Sequence, residues 1–132
     1  MRLRPQAALV VVLLGALGGC QQGPRPQRVV TLASGKQVRV LGVVRWSFSQ
    51  GPPALMLQYQ TDLKVSDLPA LKAEVSEIWP EFRKDVESGG FQSAIISANE
   101  VPQGFLIKKS QSYNFVFERG SDGNWRASEN GK

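Results

Sequence analysis

The sequence predicts an α+β fold: an antiparallel β-sheet of about six or seven strands ending in a meander, packed on one amphipathic helix over about residues 67–88, kinked near Pro80. Three observations carry this. Apolar and polar residues alternate with period two along residues 38–48 and again along 113–118, as strands with one buried face require. Only one segment, near residues 66–90, spaces its apolar residues by threes and fours, as a half-buried helix does. Turn signals at Ser34-Gly35 and Asp122-Gly123 punctuate the strand-like runs.

The first such run, "VVTLASGKQVRV", places Ser34-Gly35 between two β-branched stretches and reads as a hairpin. Along the next, Val38, Val40, Val44, Trp46 and Phe48 share one parity with Gly42, whereas Gln37, Arg39, Arg45 and Ser47 share the other. "SQGPPA" ends it, because Pro52 and Pro53 cannot donate to a ladder. A third run, "ALMLQYQT", directs Leu55, Leu57 and Tyr59 one way and Gln58 and Gln60 the other.

The helix is "SDLPALKAEVSEIWPEFRKDVESGG". Ser66 or Asp67 supplies its N-cap, Pro69 sits in its first turn and Gly89 is the expected C-cap. Leu68, Leu71, Val75, Ile78, Phe82 and Val86 form one apolar face, and Lys72, Glu74, Glu77, Glu81, Lys84 and Glu87 are expected in solvent. Pro80 removes the hydrogen bond to the Ser76 carbonyl and is expected to kink or split the helix after Trp79.

Four more strands are expected beyond Gly89-Gly90: "FQSAIISANEV", "GFLIKK", "YNFVFERG" and "NWRAS". Tyr113, Phe115 and Phe117 line one face of the third. These strands make an antiparallel meander whose apolar face the preceding helix covers. That helix-then-meander order is similar to cystatin-like and NTF2-like folds, although the strands before the helix do not fit a standard version of either.

The N-terminal 19 residues read as a secretory signal. Arg2 and Arg4 form a positive n-region, and "AALVVVLLGALGG" is an uncharged h-region too short to span a bilayer. Leu17-Gly18-Gly19-Cys20 resembles a bacterial lipobox: a branched apolar residue, two small ones and a cysteine. The resemblance implies diacylglyceryl attachment to the Cys20 sulfur and cleavage just before it. With Gln21 rather than Asp next, it implies the periplasmic face of the outer membrane, or the outer face of the cytoplasmic membrane in a Gram-positive cell. Two or three acyl chains would hold the protein stably, as one alone does not. Residues 20–28 then read as the lipidated cysteine and an extended tether, and 29–132 as one α+β domain.

Composition narrows the chemistry. The chain has 132 residues, no histidine and one cysteine. It is long enough to bury about two-thirds of its unfolded surface, so neither metal nor disulfide is needed for folding. The formal charge is +5, and removing residues 1–19 leaves 14 Lys and Arg against 11 Asp and Glu, a balance of +3. That is a mild bias and makes no case for nucleic acid. No serine sits in a Gly-x-Ser-x-Gly elbow, and no phosphate cradle or metal-ligand spacing is present. No cofactor is expected.

The expected function is therefore a non-catalytic, lipid-anchored module that binds an envelope protein or polymer such as a glycan. Its candidate binding surface is the polar side of the sheet: Arg39, Arg45, Gln58, Gln60 and Asn114, with Asn99 and Glu118. Arginines and amides there supply oriented hydrogen bonds. A second reading is a small-ligand carrier with a pocket between helix and sheet, lined by Trp46, Trp79, Phe82 and Phe115. A third is a periplasmic hydrolase using two of Glu100, Glu118, Asp62 and Asp122.

Overall fold

The computed structural model describes residues 28–103 and 111–130, in which three strands precede the helix and three follow it. The strands are β1 (Arg28–Thr31), β2 (Gln37–Trp46), β3 (Ala54–Thr61), β4 (Ser93–Glu100), β5 (Ser112–Arg119) and β6 (Trp125–Asn130); the helix is α1 (Leu68–Ser88). They form one sheet in the order β1-β2-β3-β4-β5-β6. Every neighbouring pair is antiparallel except β3 with β4, which run parallel. A parallel pair needs a crossover connection, and α1 supplies it. The α+β class holds, with one parallel pair in a sheet expected to be antiparallel throughout. The signal peptide, Cys20, the tether through Gln27 and the expected strand over 104–109 lie outside the described residues. Arg28, expected to end the tether, opens β1.

The helix ends follow from local chemistry. Asp67 rather than Ser66 is the N-cap, its Oδ1 accepting from the Ala70 N–H at 3.4 Å. At the other end Gly89 is right-handed and Gly90 takes φ +78°. The Phe91 N–H donates to the Val86 carbonyl and the Gly90 N–H to that of Glu87, both at 3.1 Å. Those two bonds make a Schellman motif, so the left-handed residue is the second glycine. The helix continues through Pro80, so the split expected there does not occur. Pro80 is exposed, and buried Ile78 and Phe82 anchor the turns on either side of it.

Along β4 the helix-facing residues are Ala94, Ile96 and Ala98, all fully buried. The two alanines let α1 lie close over this central strand. One helix about 10–12 Å across cannot cover six strands spaced about 4.8 Å apart, so both wings of the sheet need other cover. On the β5–β6 wing aromatics provide it. Trp79 stacks on Phe117 with ring centroids 4.0 Å apart, and meets Trp125 edge-on at 5.2 Å. The Trp125 indole N–H donates to Glu87 Oε2 at 2.9 Å. On the β1–β2 wing the side chains are mainly valines and leucines, which are too short to close the space.

The decisive irregularity lies in β2. Its register on β3 steps from Val40↔Tyr59 to Gly42↔Gln58, so Leu41 is the extra residue of a β-bulge. Beyond a one-residue bulge every side chain changes face. Val38 and Val40 point into the core beneath α1. Val44 and Trp46 lie opposite Met56 and Ala54, on the face away from the helix, while Arg45 lies opposite Leu55. The shared parity expected for Val38 through Phe48 is therefore broken at Leu41.

Candidate functional site

Three features offer chemistry: a buried carboxylate, the sheet face away from α1, and a groove on the β1–β2 wing.

Glu74, expected in solvent, is buried. It falls three residues after Leu71 and four before Ile78, hence on the apolar face of α1. The Tyr59 hydroxyl donates to its Oε1 at 2.8 Å and the Thr61 hydroxyl to the same oxygen at 2.6 Å. Lys36 Nζ pairs with Oε2 at 2.7 Å. Burial pushes the carboxyl up, but the donors from Lys36, Thr61 and Tyr59 outweigh it and hold Glu74 below the usual carboxylate range. Burial first, and then the Glu74 charge, push the Tyr59 phenol well above its ordinary value. Thr61 Oγ1 also accepts the Leu63 N–H at 3.0 Å. The cluster ties the β1–β2 turn, β3 and α1 together through one ion, and engages each of its groups.

The sheet face away from α1 divides into bands. One row runs Val44, Met56, Ile95, Val116 across β2 to β5. Ala54, Met56 and Ile95 form a small buried cluster with Val116 packed against it. Beside them Trp46 is 46% and Val44 42% exposed, and Phe48 is exposed just past the strand. The next rows are polar: Gly42, Gln58, Ser97 and Asn114, then Arg39, Gln60, Asn99 and Ser112. Arg39 pairs with Asp62 at 2.8 Å, and Asn99 donates to the Tyr59 and Ser97 carbonyls. Arg39 Nε and Asn114 Oδ1 are shielded from solvent without a hydrogen-bond partner among the described residues. The structure thus brings together Arg39, Gln58, Gln60, Asn99 and Asn114 of the expected binding surface. It removes Arg45 to the other face and adds an apolar band. The sequence signal for that band was two apolar residues in succession, Met56-Leu57 and Ile95-Ile96, which give a strand two apolar faces.

The groove lies between α1 and the uncovered β1–β2 wing. It holds about 250 Å³ and opens to solvent. Val30, Leu32, Val38, Val40, Val43 and Leu57 line it from the sheet, with Ile78 and Phe82 from α1 and charged Arg28, Glu81, Lys84 and Asp85. Of the four aromatics expected around such a pocket only Phe82 lines it. Trp79 and Phe115 belong to the packed core cluster, and Trp46 is on the opposite face.

Of the four candidate carboxylates two, Asp62 and Glu100, line one depression of about 200 Å³, and each has a hydrogen-bond donor of its own. Arg39 holds Asp62 below the usual carboxylate range, against the direction a general acid needs. Glu100 Oε2 accepts the Val65 N–H at 2.9 Å. Glu118 is exposed on β5 opposite Ser93. Asp122 caps the β5–β6 turn, accepting from the Asn124 N–H and pairing with Arg126. Among the described residues no three His, Cys, Asp or Glu side chains are grouped to hold a metal, and no helix is long and apolar enough to cross a membrane. A scan against family models, a search of curated proteins and a search of solved structures each find no match to this chain.

Proposed function

We propose that the chain is a lipid-anchored, non-catalytic binding module, tethered through Cys20 at the periplasmic face of the outer membrane. It presents the sheet face away from α1, exposed at Val44 and Trp46 and half-buried at Arg39, Gln58, Gln60 and Asn114, to an envelope protein or polymer. The observation that carries the binding half is the composition of that face. Exposed Val44 and Trp46 stand beside a band of amides and Arg39, and Phe48 is exposed just past the strand. Apolar anchors rimmed by oriented polar groups are what recognition surfaces use. Among the described residues, buried Arg39 Nε and Asn114 Oδ1 have no hydrogen-bond partner. The anchoring half rests on the Leu17-Gly18-Gly19-Cys20 resemblance.

The test is a photocrosslinking residue placed at Trp46 or Gln58 in intact cells, compared with one at exposed Glu77 on α1. The proposal expects one discrete adduct from the sheet positions. Identical background from all three would contradict it. The groove supports a second reading, a carrier of a slender apolar ligand. A volume of about 250 Å³ sits just below the usual size of small-molecule sites. Val40→Phe should fill the groove and abolish binding of an apolar fluorophore if that reading holds.

A further inference from the structure

We infer that two copies of this chain pair edge to edge through the second half of β2, in an antiparallel two-fold arrangement centred on Val44. The starting point is an unmatched length. β1 covers the outer edge of β2 only from Gln37 to Val40, whereas β2 continues to Trp46. Among the described residues the outer edge of Gly42–Trp46 has no strand beside it, and Val43, Val44 and Trp46 are exposed there. Natural edges are usually blunted by lysine, proline or a very short strand. This one carries valines and a tryptophan, with Arg45 its only charge.

The register follows from symmetry. In an antiparallel pair, opposed residues share a face, so a two-fold axis must pass through a residue position. Centring on Arg45 sets Arg45 against its own copy, like charge against like charge. Centring on Val43 drives Trp46 against Val40 of the second copy, an edge that β1 already occupies. Centring on Val44 uses Gly42–Trp46, which no described strand covers, and no more. It sets Val44 against Val44, Arg45 against Val43, and Trp46 against Gly42. A Cβ built on Gly42 meets nothing within 4 Å, so the position opposite Trp46 is open. The indole then covers the strand glycine, a known way to stabilise one. Gly42, Val44 and Trp46 share the face away from α1 only because of the Leu41 bulge. The pairing joins two six-stranded sheets and makes their faces away from α1 continuous. It does not depend on the anchor or on what that face binds.

Cysteine crosslinking of the full-length chain, purified in detergent, reads the register directly. Opposed Cβ atoms lie about 4.5–5.5 Å apart, within reach of a disulfide after small adjustment. Val44→Cys is expected to give a disulfide-linked dimer as the main species on mild oxidation. Trp46→Cys alone should stay monomeric, and should link when mixed with Gly42→Cys. Glu77→Cys should stay monomeric. The unmodified chain is run in parallel, together with each variant in a Cys20→Ser background. A dimer through Cys20 would thereby count against the anchor and leave this test intact. A monomeric Val44→Cys would overturn the inference, whether the edge is free or occupied by residues 21–27 of the same chain. Self-linking of Trp46→Cys equal to the mixed pair would overturn the register.

Discussion

Replacing Glu74 is the most informative single perturbation of the fold. In Glu74→Ala the Tyr59 and Thr61 hydroxyls, 1% and 2% exposed, lose their common acceptor. An unsatisfied buried donor costs about 1–3 kcal/mol, so two of them cost about 2–6 kcal/mol. Lys36 is 44% exposed and can rehydrate, so its lost ion pair adds only about 0–1 kcal/mol. We expect a loss near 3–4 kcal/mol, a large part of a typical domain's 5–15 kcal/mol. Glu74→Gln keeps an acceptor for both hydroxyls and should lose only about 1 kcal/mol. Urea unfolding followed by tryptophan fluorescence measures both. At an ordinary m-value the alanine variant should lower the midpoint by about 1–4 M with m unchanged. Equal losses for the two variants, or a loss below about 1 kcal/mol for alanine, would refute the assignment of Glu74 as the acceptor that satisfies this cluster. A triple change to Glu74→Leu, Tyr59→Phe and Thr61→Val should recover part of the loss, because both buried hydroxyls are then gone and only the half-buried Leu63 N–H loses its acceptor.

The same cluster sets a pH dependence. The Glu74 pKa is lowered on folding, so its contribution is present above the ordinary glutamate value of 4.5 and is lost as pH falls through the folded pKa. The gap in urea midpoint between the unmodified chain and Glu74→Gln should therefore close in acid. A gap that is constant from pH 7 to the acid limb would contradict this. At the C-terminal end of α1, Gly90→Ala forces a side chain into φ +78° and should cost about 1–2 kcal/mol, read from the same urea curves. Pro80→Ala restores an N–H inside the helix and should be neutral or mildly stabilising. A loss above about 2 kcal/mol would mean that the local shape at Pro80 is needed by the packing of Ile78 and Phe82.

Most of the fold was legible because it is written in local chemistry. Ser34-Gly35 and the Asp122-Gly123 turn mark the β1–β2 and β5–β6 hairpins, and Asp67 and Gly89-Gly90 bracket the helix. What escaped depends on tertiary position. Glu74 lies on the apolar face by spacing alone, but its burial is tolerated only because β3 brings Tyr59 and Thr61 to it and the β1–β2 turn brings Lys36. The face change at Leu41 is invisible to a parity argument that assumes unbroken alternation. Gly42, an isolated glycine inside a strand pattern, was its one local sign. That single bulge moved Trp46 out of the expected pocket and took Arg45 off the expected binding surface. The parallel pairing of β3 with β4 likewise follows from where α1 crosses the sheet, which no window of residues specifies. Of the candidate binding surface, Arg39, Gln58, Gln60 and Asn114 were placed together correctly by alternation, and the apolar band beside them was not.

The central claim is that Cys20 becomes the lipidated first residue of the mature protein and holds the binding face at the membrane. The direct measurement is mass spectrometry of the N-terminal peptide from the protein extracted from its own membrane. The expected peptide begins at Cys20, is heavier than its sequence by a diacylglyceryl group, and lacks residues 1–19. A peptide that retains residues before Cys20, or one in which Cys20 is a free thiol, would contradict it.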